Sequence, residues 1–207
     1  MLRKVTALAM VAQFSACTNI GLLEQLETPG GEAGKTCGTN CRFFVTQNQH
    51  SGALGGAAGA DQLCLNDPSN PSGPGRGRWK AMLSAGAERQ ACTTNGCGTG
   101  GIGENINWVL RPLASYRRPD GTFIGSTSER AIFQTMLSAT VSTVAADVWT
   151  GFNQDWVFQG NNCSNWTSAS GGVSGARGQA NSMPPATIDT GAVLSCNSGA
   201  SLYCIEQ

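Results

Sequence analysis

Apolar and polar positions alternate along the chain in short runs that are separated by Gly, Pro, Ser and Asn. Short runs rich in Val, Ile, Trp, Phe and Leu, bounded by such turn-forming residues, are typical of β-strands. The pattern predicts strands at Arg42–Gln47, Arg78–Leu83, Ile106–Leu110, Asp147–Phe152, Cys163–Thr167, Val193–Cys196 and Ser201–Ile205.

Two other segments carry apolar residues at helical spacing, and they predict helices at Ala58–Leu65 and Ser128–Ser138. Ser128 is suited to cap the second helix. The apolar positions are Ala60, Leu63 and Cys64 in the first segment, and Ile132, Phe133, Met136 and Leu137 in the second. Together with the strands, they predict an α+β domain with much irregular structure.

The composition narrows the class of protein. The 207 residues include 28 Gly, and 40% are hydrophobic, 7% aromatic and 13% charged. A chain this apolar and this weakly charged is not disordered, and its glycine content argues against long helices. Lys and Arg number 13 against 13 Asp and Glu, so the net charge is zero. A nucleic-acid partner bound through net positive charge is therefore not expected.

The N-terminus has the pattern of an export signal. Arg3 and Lys4 precede an apolar run, Val5–Phe14. This run is too short for a membrane-spanning helix, which needs about 20 apolar residues, and it is typical of the apolar region of a signal peptide.

The residues that follow the apolar run resemble a bacterial lipobox, in which small residues precede a cysteine that is lipidated. We therefore expect residues 1–16 to be a lipoprotein signal peptide, Cys17 to carry the lipid, and residues 17–36 to be a tether. The alternative is an ordinary signal peptide cut after Ala16, which would leave Cys17 as a free thiol.

The remaining cysteines point to an oxidising environment. Without Cys17, eight of the nine cysteines remain, and an even number in an exported chain suggests four disulfides. Sequence alone allows on the order of 100 pairings. A zinc site built from Cys37, Cys41, Cys92 and Cys97 is an alternative to two local disulfides. The eight cysteines are Cys37, Cys41, Cys64, Cys92, Cys97, Cys163, Cys196 and Cys204.

Motifs for nucleotide binding or catalysis are incomplete. Gly30–Thr36 lacks the first glycine of a P-loop, and Gly98–Gly103 matches a dinucleotide-binding pattern without the strand and helix that must flank it. His50 is the only histidine, and no serine stands in a nucleophile elbow. We expect no cofactor, no bound metal and no enzymatic activity.

Five segments follow one another in an order that is found in a known superfold. They are Gly55–Cys64 (GGAAGADQLC), Trp79–Ser84 (WKAMLS), Val148–Gly151 (VWTG), Cys163–Thr167 (CSNWT) and Leu202–Glu206 (LYCIE). In this order they resemble the C-type-lectin-like fold, and within it the endostatin branch, over about Phe43–Gln207. With a lipidated N-terminus, the chain resembles the leptospiral endostatin-like surface lipoproteins and the bacterial family that shares their domain.

The resemblance implies one domain over residues 37–207, closed by nested disulfides that join Cys64 to Cys204 and Cys163 to Cys196. Cys37–Cys41 and Cys92–Cys97 then remain as local loops. A bond that closes a loop as long as Cys64–Cys204 is expected to restrict the unfolded chain most.

The resemblance also implies that Trp149, Trp156 and Trp166 belong to the core; the alternative is that they stack on sugars. The resemblance does not imply that this chain binds the metal ions found in related proteins. The chain lacks the loop with which calcium-dependent lectins hold their ion, and it lacks the histidines of the endostatin zinc site.

Arginine-rich clusters are the candidate partner-binding residues, because the planar guanidinium group suits sulfate and carboxylate partners. The clusters are Arg76, Arg78 and Lys80, and Arg111, Arg117 and Arg118. The alternative is that these are scattered, solvated charges.

The resemblance implies a monomeric binding module that a lipid anchors in the bacterial outer membrane and that is exposed at the cell surface. Its expected partners are host extracellular-matrix proteins, plasminogen or the complement regulator factor H, bound directly or through sulfated glycans. The alternative is a structural envelope lipoprotein or glycan-binding module without affinity for host proteins. A hydrolase that uses His50 is a third hypothesis.

Overall fold

The computed structural model describes residues 37–134 and 136–207. Within these ranges the fold is α+β, built mostly from short strands with few helices, as the sequence predicts. The predicted signal peptide (1–16), lipidation site (Cys17) and tether (17–36) lie outside the described residues.

The larger sheet has five strands: β1 (Asn40–Val45), β2 (Trp79–Ala81), β3 (Ser115–Arg117), β4 (Phe123–Ser126) and β8 (Tyr203–Glu206). Their order is β2-β8-β1-β3-β4. The first half of β1 runs parallel to β3, and its second half pairs antiparallel with β8. The last strand of the described chain, β8, therefore lies inside the sheet between β2 and β1, while β2 is an edge strand.

The smaller sheet is antiparallel and has three strands, β5 (Asp147–Trp149), β6 (Ser174–Gln179) and β7 (Val193–Ser195), in that order. It is tied to the larger sheet by a bridge between Val148 and Ser201, which lies just before β8.

The first helix, α1 (Gly56–Asn66), contains the predicted segment Ala58–Leu65. Ala57, Ala60 and Cys64 are buried on one face, where the small alanine side chains allow the helix to lie close to its neighbours. Cys64 forms a disulfide with Cys204, so the helix is covalently joined to β8.

The second helix, α2 (Cys163–Trp166), replaces the strand predicted at Cys163–Thr167. All four of its residues have positive φ, from 52° to 62°, which disfavours side chains other than glycine. A local cap and long-range contacts hold the turn: the Asn162 side chain accepts from the Asn165 N–H at 3.0 Å, and the Trp166 indole donates to the Ser84 carbonyl at 2.7 Å. The strand prediction was wrong because this cap, the Trp166–Ser84 contact and the Cys163–Cys196 disulfide together favour the turn.

The helix predicted at Ser128–Ser138 was also wrong, because the described residues of this segment form turns. Ala131 has a φ of 58°, and the Ser128 N–H donates to the Ile132 carbonyl at 2.9 Å, which reverses the chain. The apolar side chains that suggested a helix are nevertheless buried, except that of Met136, which is 68% exposed.

Other strand predictions were only partly right. Ile106–Leu110 is not a strand: Ile106 makes a single bridge to Gln90, and Asn107 has a φ of 44°. Strands β3, β4 and β6 were missed, because they are short or rich in Gly and Ser. Two 3₁₀ helices, Asn95–Cys97 and Gly101–Glu104, complete the structure.

Four disulfides are formed, and they are the four expected from the resemblance. They join Cys37 to Cys41, Cys64 to Cys204, Cys92 to Cys97, and Cys163 to Cys196. Cys37, Cys41, Cys92 and Cys97 therefore pair locally, and the alternative of a shared zinc site is wrong.

Trp149, Trp156 and Trp166 are buried, as expected for core residues. Trp149 and Trp166 pack against each other with ring centroids 5.7 Å apart. The Trp149 indole donates to the His50 carbonyl at 2.8 Å. The rings of Trp149 and Trp166, which are fully buried, therefore have no face available for stacking on a sugar.

Candidate functional site

A polar cleft of about 380 Å³ lies beside the edge strand β2. It is bounded by α1, by β2 and its preceding loop, and by the residue that follows β8. The lining residues are Asp61, Gln62, Leu65, Gly77, Arg78, Trp79, Lys80, Arg111 and Gln207. The cleft therefore brings together basic residues from both clusters that the sequence singled out.

Three cations line this cleft: Arg78, Lys80 and Arg111. Within the described part of the chain, the Arg78 and Arg111 side chains form no hydrogen bond or ion pair. Lys80 Nζ donates to Asn107 Oδ1 at 2.8 Å. Two guanidinium groups thus keep all their side-chain donors available, beside an ammonium group that has one neutral partner.

Backbone hydrogen bonds hold the two arginines in place. The Arg78 carbonyl accepts from the Gln207 N–H at 2.9 Å, which pins the loop to the end of β8. The Arg111 N–H donates to the Tyr116 hydroxyl at 2.8 Å. Burial raises the pKa of Tyr116 to about 12, so this phenol stays neutral at physiological pH. The side chains of Arg78 and Arg111 therefore extend from fixed backbone positions.

The nearest carboxylates do not neutralise the three cleft cations, because each carboxylate is engaged elsewhere. Asp61 accepts from both terminal nitrogens of Arg89, at 2.7 and 2.8 Å, and from the Ala81 N–H at 2.8 Å. The Arg89 side chain is 1% exposed and that of Asp61 is 16% exposed, so this bidentate pair is largely buried. Glu206 is held by the Arg42 side chain. The cleft is therefore positively charged.

Trp79 supplies the apolar wall of the cleft. Its ring is buried and meets the Phe44 ring edge-on, with centroids 4.9 Å apart. Among the described residues its indole Nε1 has no hydrogen-bond partner. A Cβ at Gly77, which has a φ of 77°, would lie 2.8 Å from this nitrogen and 2.9 Å from Ser72 Oγ. Glycine is required at position 77 because the backbone passes this close to the indole.

The other members of the two sequence clusters do not line the cleft. Arg76 is exposed on the preceding loop. Arg117 donates to the Gly121 carbonyl at 3.1 Å and covers the Phe123 ring. Arg118 donates from Nε to the Thr140 carbonyl at 2.8 Å and stabilises that loop. The structure thus divides the second cluster, placing Arg111 with Arg78 and Lys80.

Sequence reasoning missed three features of the cleft: the contribution of Trp79, the buried Asp61–Arg89 pair, and the grouping of Arg111 with the first cluster. The segment Gly55–Cys64 was singled out only for its place in the order of five segments, although its Asp61 pairs with Arg89. No local pattern could have shown the grouping, because the segment before Arg111 is held beside β2 and β8 by long-range contacts, from Lys80 to the Asn107 side chain and from Gln207 to the Val109 carbonyl.

His50 lies outside both this cleft and the second cavity described below. Burial lowers the pKa of its imidazole, and the nearby Asp67 opposes this effect in part. Within residues 37–134 and 136–207, no three His, Cys, Asp or Glu side chains are grouped as metal ligands, and no helix is long and apolar enough to cross a membrane.

The fold and the cleft define a small α+β domain that is stapled by four disulfides and carries a basic cleft at the edge of its larger sheet. Residues 47–183 match a family described as a protein of unknown function, DUF1554. Because the match covers more than half of the chain, the protein belongs to this family. A comparison with curated proteins finds no match.

Proposed function

We propose that the protein is a lipid-anchored binding module at the bacterial surface, and that its basic cleft holds sulfate or carboxylate groups of a host partner. The partners that fit this role are extracellular-matrix proteins and plasma or complement-regulatory proteins, bound directly or through sulfated glycans. The observation that carries the proposal is the convergence of Arg78, Lys80 and Arg111 on one cleft whose nearby carboxylates are already paired.

We also propose the endostatin-like form of the C-type-lectin-like fold. The disulfide between α1 and the last strand, together with the separate bond between Cys163 and Cys196, supports this assignment. The buried Trp149 on β5 supports it as well. The fold leaves its loops as the recognition surface, and the cleft lies beside one of them, Asp67–Gly77.

Anion binding follows from the chemistry of the cleft. A guanidinium group presents parallel N–H donors that match two oxygens of a sulfate or carboxylate, and such charge-assisted bonds are stronger than neutral ones. Arg78 and Arg111 do not have to give up an existing partner to bind. Because backbone hydrogen bonds already fix the main chain at both arginines, binding does not have to order the backbone there.

The first experiment measures binding of heparin, as a sulfated probe, by Arg78→Ser/Arg111→Ser and by the unsubstituted chain. A hydrogen bond to a charged group contributes about 1.5–3 kcal/mol, so we expect affinity to fall at least about tenfold and the salt dependence to become shallower. The same variants are then tested against immobilised matrix proteins, plasminogen and factor H.

The matched control is Arg76→Ser/Arg117→Ser, which removes the same charge from exposed positions that do not line the cleft. Equal losses in both double variants would show that only net charge matters and would contradict a specific cleft. Binding that is indifferent to salt and to Arg78→Ser/Arg111→Ser would also contradict the proposal. Retention of envelope glycans together with no affinity for any host protein would favour the alternative, a glycan-binding envelope lipoprotein.

A further inference from the structure

A second cavity, of about 290 Å³, opens into the main hydrophobic core and shares no lining residue with the basic cleft. Its lining residues are Phe43, Met82, Phe133, Gln134, Met136, Leu137, Val141, Gln154, Trp156, Pro184, Pro185, Thr187 and Ile188. We propose that this cavity binds a free, uncharged molecule built from one or two aromatic rings.

The depth of the cavity is the first observation. Phe43, Met82 and Ile188 line it although each is buried and belongs to the main core cluster. The rings of Phe133 and Trp156 form another part of the cavity wall, and their centroids are 6.3 Å apart. A cavity that reaches buried core side chains gives its occupant apolar contacts on several sides, and the hydrophobic gain grows with the apolar area buried.

The volume sets the size of the ligand. An apolar cavity of about 150 Å³ in a protein core accommodates one benzene molecule. The present volume is about twice that and fits a fused bicyclic ring. The size of the cavity therefore fits a small molecule of one or two rings.

The described residues that line the cavity carry no charge, and this determines which ligands can bind. None of the described residues that line the cavity is Asp, Glu, Lys, Arg or His. A charged ligand would lose its hydration without gaining a counter-charge, which is unfavourable in an apolar site. The polar groups at the rim are the carboxamides of Gln134 and Gln154, which can pair with a single N–H or O–H of the ligand. Met136, 68% exposed, supplies a flexible apolar side chain at the mouth.

Indole is the appropriate probe, because it is neutral, bicyclic and carries one N–H donor. The full chain with Cys17→Ala is used, so that no detergent competes for the cavity. We expect indole to bind with a dissociation constant of about 1 mM or lower and to shift the ¹³C-methyl signals of Met82 and Met136. Indole-3-carboxylate, which has the same ring and a negative charge, should bind at least about tenfold more weakly.

Met136→Trp tests the site, because a large side chain at the mouth fills the opening while the buried lining is left intact. We expect at least a tenfold loss of indole binding. The matched control is Val144→Trp, at a position that is 70% exposed and does not line the cavity; it should bind indole normally. Thermal unfolding of both variants verifies that each is folded.

Three outcomes would overturn the proposal: no binding of indole, equal binding of indole and its carboxylate, or equal binding by the two tryptophan variants. If indole does not bind but Met136→Trp abolishes attachment of a host protein, the cavity is instead an anchor for a partner's side chain. Arg78→Ser/Arg111→Ser should leave indole binding unchanged, so this test is independent of the proposed function.

Discussion

Among the described residues, the acidic side chains of Glu104 and Asp67 are buried and act as hydrogen-bond acceptors inside the molecule. Glu104 accepts from the backbone N–H and hydroxyl groups of Thr93 and Thr94 and from the Gly100 N–H, at 2.7–2.8 Å. These donors, the Thr94 hydroxyl first, hold the pKa of Glu104 well below its usual range. Asp67 accepts from three backbone N–H groups in the same way. These two carboxylates therefore hold loops of the domain in place.

His50 gives the protein a predicted dependence of stability on pH. Burial lowers its pKa in the folded state below the ordinary value of 6.5, so folding favours the neutral imidazole. The contribution to stability is therefore full above pH 6.5 and is lost as the pH falls below it, because the unfolded chain then binds the proton more readily.

The measurement is the free energy of unfolding in urea at several pH values between about 5 and 7. Histidine is the only side chain whose ordinary pKa lies in this interval. We expect stability to fall with pH in this interval, and the slope to flatten in His50→Gln. Since His50 is the only histidine, no second imidazole complicates the result. A slope that is the same in both proteins would contradict the assignment.

At the scale of elements, two disulfides of different loop length make a quantitative comparison possible. The Cys64–Cys204 bond spans 140 residues and joins α1 to β8, whereas Cys92–Cys97 spans five. In the chain-entropy account, the first stabilises the fold by about 5 kcal/mol and the second by about 2 kcal/mol. The difference arises because the longer loop is more restricted in the unfolded chain.

We therefore expect Cys64→Ala/Cys204→Ala to lower the free energy of unfolding about twice as much as Cys92→Ala/Cys97→Ala. Urea unfolding of the two variants under oxidising conditions provides the comparison. Equal losses would indicate that local packing around each bond, and not loop length, determines its contribution.

At the scale of the whole molecule, the proposal of a lipid anchor rests on Cys17, which lies outside the described residues. Each buried CH₂ of a lipid chain contributes about 0.8 kcal/mol to membrane binding, so one lipidated cysteine would provide most of the attachment. We expect Cys17→Ala to move the protein from the detergent phase to the aqueous phase in a detergent partition experiment. An unchanged distribution would contradict lipidation and favour an ordinary signal peptide.

The sequence by itself determined the features that depend on local pattern. Helix α1, the positions of β1, β2, β5, β7 and β8, and the α+β class follow from apolar periodicity and turn residues. The disulfide pairing was reached through the order of five segments and not through spacing. Burial of Trp149 and Trp166 was predicted in the same way.

Only the tertiary structure decided the features that depend on contacts between distant segments. Residues 128–138 have helical periodicity, yet their described part folds into turns, because burying Ile132, Phe133 and Leu137 against the core satisfies the same apolar pattern. Arg111 joins Lys80 at one cleft because Lys80 contacts the Asn107 side chain and Gln207 contacts the Val109 carbonyl, whereas Arg118, seven residues further on, is held by a loop carbonyl. Which residues come together in space depends on strand pairing and long-range packing. The free energies of these contacts exceed local propensities, and the contacts themselves cannot be predicted from neighbouring residues in the sequence.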